Sequence, residues 1–299
     1  MLGTTPMTRG LVALLISVIG WGLAPVATQL ALHDLTAATV LALRFSIVVM
    51  LLVPLVLRPA PPLDLRAWTR LSAAALLGVV GYNVAITYGL RETSASTAGF
   101  LIAAEPVLIL IFARLSRRET VARRCWAGAM VSTVGVTLVA ALHPTDLPGS
   151  SNGLAGPLLV LLAASCFSVY VVLLRPLALS HGALRVTTVT TLMGSLVIVT
   201  VTLPTADLAT VAGIAPGALL AIIGLALGST VLAMVLYNHS SAVLGSGRAG
   251  VGLNLIPLVT ALGSLVILDQ TIPAVTLAAG AIILLGVAIA SPSPANGKV

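Results

Sequence analysis

Long, uninterrupted apolar runs alternate with short polar breaks along the whole chain. Ten runs stand out, at residues 10–31, 36–57, 68–89, 94–114, 122–141, 152–174, 183–203, 215–237, 248–268 and 272–290. Charge, proline or glycine fills the breaks between them, as in His33-Asp34, Arg91-Glu92 and the segments 117–119 and 144–152. A helix rising ~1.5 Å per residue needs roughly 20 residues to cross ~30 Å of hydrocarbon, so each run predicts one transmembrane helix. A membrane barrel would instead alternate apolar and polar residues over segments of about ten. The pattern predicts an all-α integral membrane protein of ten transmembrane helices. The first run is too long for the apolar core of a signal peptide and is followed by no small-x-small cleavage site, so it reads as a retained span.

Composition agrees. Of 299 residues, 59% are hydrophobic and 8% charged, with a mean hydropathy of +1.15. Soluble domains carry about a quarter charged residues, which excludes a water-soluble enzyme, and ten spans leave no stretch for a separate soluble domain. The net charge of +7 points to cytoplasmic loops rich in Lys and Arg rather than to nucleic acid. With the N-terminus inside, thirteen basic side chains fall on the cytoplasmic side and only Arg91 on the other, which holds Asp34, Glu92, Asp146, Asp207 and Asp269. Both termini are therefore expected in the cytoplasm, and the protein in the plasma membrane, the inner membrane of a bacterium. Cys125 and Cys166 show neither metal spacing nor a disulfide framework. His33, His143, His181 and His239 do not cluster, and the chain has no His-Glu-x-x-His, phosphate loop or Gly-x-Ser-x-Gly. No enzyme, metal or cofactor is expected.

Shifting the second half onto the first by 151 residues aligns Ala98-Gly99 with Ala249-Gly250, Pro106 with Pro257, Gly135 with Gly286 and Glu119 with Gln270. This predicts two five-helix repeats, residues 1–145 and 146–299, within one membrane domain. An odd number of spans per repeat forces opposite insertion of the halves, an inverted-topology repeat of the kind that places a substrate site near the midplane.

Trp21-Gly22, Arg44-Phe45, and Glu105-Pro106-Val107 followed by Glu119 and Gly128 resemble the EamA family of the drug/metabolite transporter superfamily. The stretch from Pro257 to Gly286 resembles its second copy, and the likeness runs from about residue 10 to 290. The resemblance implies a ten-helix secondary transporter that moves small metabolites or amphipathic drugs by alternating access, many such proteins being exporters, some of amino acids including aromatic ones. The second copy departs from the first in having Ile256 at the place of Glu105 and Asp269-Gln270 at that of Glu119, so any functional carboxylate is carried by one half.

Charges inside hydrocarbon are costly and tend to be functional, and two qualify. Glu105 lies about 11 residues into its run and Arg44 about 8 into its own, ~16 and ~12 Å from the same outer face at ~1.5 Å per residue. In one reading Arg44 holds a substrate carboxylate while Glu105 holds an amine or carries a coupling proton. In another the two form an ion pair that locks helices together. In a third Arg44 snorkels or caps carbonyls near the surface. Pro106 and Pro257, at matching sites, are candidate gates or hinges, because proline breaks the helical bonding pattern; against this, proline is common in membrane helices. Trp21, Tyr82, Asn83 and Asn254 are candidates for lining an amphipathic site, with Ser229, Thr230 and Tyr170 behind them; the plainer alternative is packing. Trp68, Trp126 and Tyr237 read as interfacial anchors at the cytoplasmic ends of spans, and Tyr88 on the outer side.

The topology and the resemblance together imply a secondary active transporter, embedded in lipid, that exports small amphipathic metabolites, amino acids first, and is driven by a gradient or by exchange. An exporter of lipophilic cationic drugs, with Glu105 as counter-ion, is the alternative within transport. A structural membrane protein without transport activity is the alternative outside it.

Overall fold

A computed structural model describes residues 6–57, 62–116, 123–141, 154–244 and 253–290. Helices α1 (Pro6–Gly22), α2 (Ala24–Asp34), α3 (Ala37–Val56), α4 (Leu65–Ala74), α5 (Tyr82–Gly89), α6 (Ala95–Ile102) and α7 (Glu105–Leu115) form the first part. They are followed by α8 (Arg123–Ala141), α9 (Ala155–His181), α10 (Ala183–Thr202), α11 (Pro216–Ile223), α12 (Ala233–Leu244), α13 (Ile256–Ile267) and α14 (Ala274–Ala290). No strand occurs among the described residues.

Seven helical runs are long and apolar enough to cross a membrane: Met7–Asp34, Ala37–Val56, Leu65–Gly89, Ala95–Leu115, Ala155–His181, Ala183–Thr205 and Pro216–Tyr237. The shorter apolar helices Ile256–Ile267 and Ala274–Gly286, together with α8, occupy the remaining three expected runs. The proposed boundary between repeats, at residues 145 and 146, lies outside the described residues.

Helix starts follow from side-chain capping. Thr36, Asp64 and Ser94 each accept a hydrogen bond from the backbone N–H three residues on, at 3.2, 2.8 and 3.2 Å, satisfying donors that a first turn leaves unpaired. One end was misplaced in the sequence reading. The expected break at 175–182 is helical as far as His181, with Pro176 inside α9. What stops the helix is Gly182, at φ 86° in the left-handed region, its N–H donating to Ala178 O at 3.1 Å.

Three spans contain a helical segment opened by a proline, which cannot supply an N–H. Pro25 opens α2 after the single turn residue Leu23. Pro106 lies in the first turn of α7, after a tightened turn at Ala103-Ala104 in which Ala104 N and Val107 N donate three residues back, at 3.1 and 3.0 Å. Pro257 likewise lies in the first turn of α13, after a 3₁₀ turn at Leu253–Leu255. The prolines therefore open new helical segments rather than kinking continuous ones. Residues Ala75–Gly81 and Gly224–Leu232 are wound as π-helix, a rare winding that concentrates at functional sites. The two stretches stand at corresponding places when the halves are aligned by the 151-residue shift, as do Pro25 and Pro176.

Helix α9 packs along α5 and α7, α1 along α12 and α13, α3 along α10, and α8 along α14. The core between them is aliphatic, with Leu41, Leu71, Leu90, Leu101, Ile198, Ile222 and Ile283 fully buried. Close approach at the first π stretch depends on Gly78, where a Cβ would overlap the side chain of Tyr170.

Candidate functional site

Residues of the three proline-broken spans and of the two π stretches line a cavity of about 400 Å3. Trp21, Arg44, Tyr82, Asn83 and Glu105 all line it, although they come from α1, α3, α5 and α7. The fold thus brings five of the sequence candidates to one surface. Asn254 belongs to the 3₁₀ turn Leu253–Leu255, between cavity-lining Leu253 and Ile256. Its side chain, and that of Pro106, lie outside the described residues. Pro257 is buried.

Arg44 is held in place from two directions. Its Nη2 donates to Thr230 Oγ1 at 3.0 Å, and its guanidinium carbon lies 5.0 Å from the centre of the Phe45 ring, within range of a cation–π contact. Only 7% of the residue is exposed, and its buried Nε has no hydrogen-bond partner among the described residues. Thr230 Oγ1 in turn donates to Leu225 O at 2.9 Å, five residues back along the π stretch.

Glu105 is the first residue of α7, half-buried against the cavity. Its Oε1 is buried with no hydrogen-bond partner among the described residues, and no ion pair joins it to Arg44 there. The ion-pair reading of the sequence is therefore not the arrangement seen.

Aromatic rings cover much of the wall. Tyr82 and Phe167 have ring centres 5.5 Å apart, Phe167 and Tyr170 5.6 Å, and Trp21 and Tyr237 5.1 Å, all within the range of favourable edge or tilted contact. Trp21 Nε1 donates to Ser229 O at 2.9 Å, which ties α1 to the second π stretch. Asn83 spends its amide N–H on Val79 O, at 2.8 Å within its own span. Thr260 Oγ1 reaches Gly22 O at 2.7 Å and Ile256 O at 3.0 Å, fastening α13 to the break in the first span.

Tyr237 corrects the sequence reading: rather than an interfacial anchor it is a cavity residue against Trp21. Trp68, Trp126 and Tyr88 remain exposed at the surface. Phe167 and Thr260 also line the cavity, and neither differs from its apolar surroundings in sequence enough to signal a site. Among the described residues no group of His, Cys, Asp and Glu could hold a metal.

Beyond Thr28 and Gly99, at one end of the cavity, a polar clamp joins three segments. Gln29 Oε1 accepts from Ala95 N and from Gln270 Nε2, both at 2.9 Å, while Gln29 Nε2 donates to Thr93 O at 3.4 Å. Asp269, at φ 51°, turns the chain so that Gln270 N reaches Ser264 O at 3.1 Å; a short acidic side chain tolerates that backbone better than most.

Two stretches of the chain, residues 8–141 and 154–291, match the EamA-like transporter family. An uncharacterized transporter of Bacillus subtilis, YyaM, is 25% identical over 221 residues, covering 72% of this chain and 70% of that protein. An uncharacterized transporter of Archaeoglobus fulgidus is 23% identical over 278 residues, covering 93% and 97%. A solved structure titled only as the crystal structure of a protein shares the fold, with a TM-score of 0.59 and 20% identity over 94% of this chain and 96% of that one.

Proposed function

The chain belongs to the EamA-like transporter family, and from that membership we propose that it is a secondary active exporter of small amphipathic metabolites, most of all amino acids with aromatic or large apolar side chains. The observation that carries the substrate reading is that Arg44 and Glu105 face one cavity without neutralising each other. An amino acid would meet complementary charge at both ends, its carboxylate toward Arg44 and its amine toward Glu105. Trp21, Tyr82 and Tyr237 would then cover its side chain, and Asn83 and Asn254 would complete the polar lining. When no amine is present, Glu105 is the group that can carry a coupling proton, since ionisable residues inside transmembrane helices mark substrate, ion and proton pathways.

The protein is a multi-pass membrane protein. Ten spans in two inverted five-helix repeats, divided near residue 145, with both termini in the cytoplasm and the plasma membrane as its site, complete the reading. Matched π stretches, matched proline breaks and a double family match support the duplication. Segments opened by Pro106 and Pro257 act as hinges between outward- and inward-facing states, because the missing backbone bonds let each half-helix turn on the other.

The decisive experiment is counterflow into proteoliposomes preloaded with unlabelled amino acids, with labelled phenylalanine and threonine outside. Saturable accumulation that disappears in Glu105→Gln is expected. Its absence in tight vesicles, with uptake of a lipophilic cation instead, would transfer the site to the second reading. That reading is favoured by one feature, the aromatic rings lining the same cavity as a carboxyl oxygen that has no hydrogen-bond partner among the described residues. No movement of either solute would leave a structural role.

A further inference from the structure

We infer that Thr230 is a positioning residue: by fixing the Arg44 guanidinium across the cavity it sets the preference for substrates that carry a carboxylate. This rests on the reading of the cavity as an amino-acid site.

Several threonine hydroxyls within α-helices return to the carbonyl four residues back, as Thr28 does to Ala24, Thr187 to Ala183 and Thr190 to Val186. Thr230 reaches five residues back, to Leu225, because its span is π-wound there. That bond commits its one proton. A hydroxyl so committed has only acceptor capacity left, which suits a cationic donor, and Arg44 Nη2 fills it at 3.0 Å. The other contact of the guanidinium, the Phe45 ring, belongs to the neighbouring residue on the same helix and cannot orient it across the cavity. Arginine has a large rotamer freedom to lose, so the Thr230 bond is what holds the charge in one place before substrate arrives. Its buried Nε–H remains unmet among the described residues, a donor that a carboxylate oxygen would satisfy. The companion carbonyl, Ser229 O, holds Trp21. The same π stretch therefore sets both an aromatic wall and the charge beside it.

The test compares phenylalanine with phenylalaninamide, which lacks the carboxylate, in proteoliposomes of wild type, Thr230→Val, Thr230→Ser and Arg44→Gln. Thr230→Val should raise KM for phenylalanine about tenfold, as for a lost charge-assisted bond, with little change in maximal rate. KM for phenylalaninamide should stay within about twofold. Thr230→Ser, which keeps the hydroxyl, should behave as wild type, and Arg44→Gln should abolish the discrimination. If Thr230→Val does not fold, as judged by size exclusion and Tm, Thr230→Ala is read in its place. Unchanged discrimination in the Thr230 variants beside its loss in Arg44→Gln would overturn the role of Thr230 alone. Unchanged discrimination in Arg44→Gln, or no phenylalanine transport by wild type, would overturn the amino-acid reading and this inference with it.

Discussion

Ser132 in α8 and Ile283 in α14 meet face to face, the Ser132 hydroxyl donating to the Ile283 carbonyl at 3.1 Å across 151 residues of chain. That interval is the one relating the two halves of the sequence. Two glycines with the same separation complete the contact: Gly135 packs on Ile283, and Gly286 packs on Ser132. Each half thus sets a glycine against the corresponding position of the other, Ile283 in one case and Ser132 in the other. Such reciprocal contacts are what a two-fold relation between copies produces, here between two parts of one chain.

This contact is tight enough to forbid a methyl group. A Cβ on Gly135 would lie 2.8 Å from both Ala279 O and Ile283 N, backbone atoms that yield only if a helix shifts. Gly135→Ala should cost about 1–3 kcal/mol by overpacking, seen as a lower Tm in detergent. Gly217→Ala, where nothing lies within 4 Å, is the control and should not lower Tm. Equal Tm values for the two variants would show that α8 and α14 do not pack as described.

Glu105 separates function from stability. An unsatisfied buried polar atom costs ~1–3 kcal/mol, and a neutral amide is cheaper to bury than a carboxylate. Glu105→Gln should therefore leave Tm equal to wild type or above it while transport falls by about tenfold or more. A fall in Tm in parallel with transport would mark Glu105 as a structural residue.

At the clamp, Gln29→Leu removes the acceptor shared by Ala95 N and Gln270 Nε2. Two donors left without it should weaken closure of that end by about 1–3 kcal/mol. A cysteine placed at Thr28, which lines the cavity, should then react several-fold faster with a maleimide reagent in the purified protein. An unchanged rate would mean that the clamp does not close the cavity.

Orientation is open to direct labelling. In a background without native cysteines, Asp34→Cys and Asp207→Cys should label in intact cells. Arg66→Cys and Arg124→Cys should label only after permeabilisation. The reverse pattern would overturn the cytoplasmic placement of the termini, and both pairs on one side would break the inverted-repeat reading.

Much of the architecture was written locally. Backbone polar groups in lipid must be satisfied inside their own helix, so each span needs its own apolar run, and the helical runs observed follow those runs closely. The prolines at 106 and 257 marked divided spans for the same reason, since a missing N–H is a property of one residue. Pro176 shows the limit of that signal: the same residue type lies inside α9 without ending it, and the glycine six positions on does.

Convergence was another matter. Spacing put Arg44 and Glu105 at similar depth, but it did not say that Trp21 and Tyr82 share a cavity with them or that the two charges stay apart. Tyr237 looked like an anchor because its depth along the chain is all that sequence reports, whereas its partner, Trp21, comes from another span. The Arg44–Thr230 bond joins residues 186 apart and depends on a π winding set by how neighbouring helices pack. Sequence alone determined which segments enter the membrane and that they repeat, because lipid acts on each segment separately. Only the tertiary structure decided which side chains meet, because that depends on the rotation of each helix about its own axis, and the rotation is fixed by its neighbours.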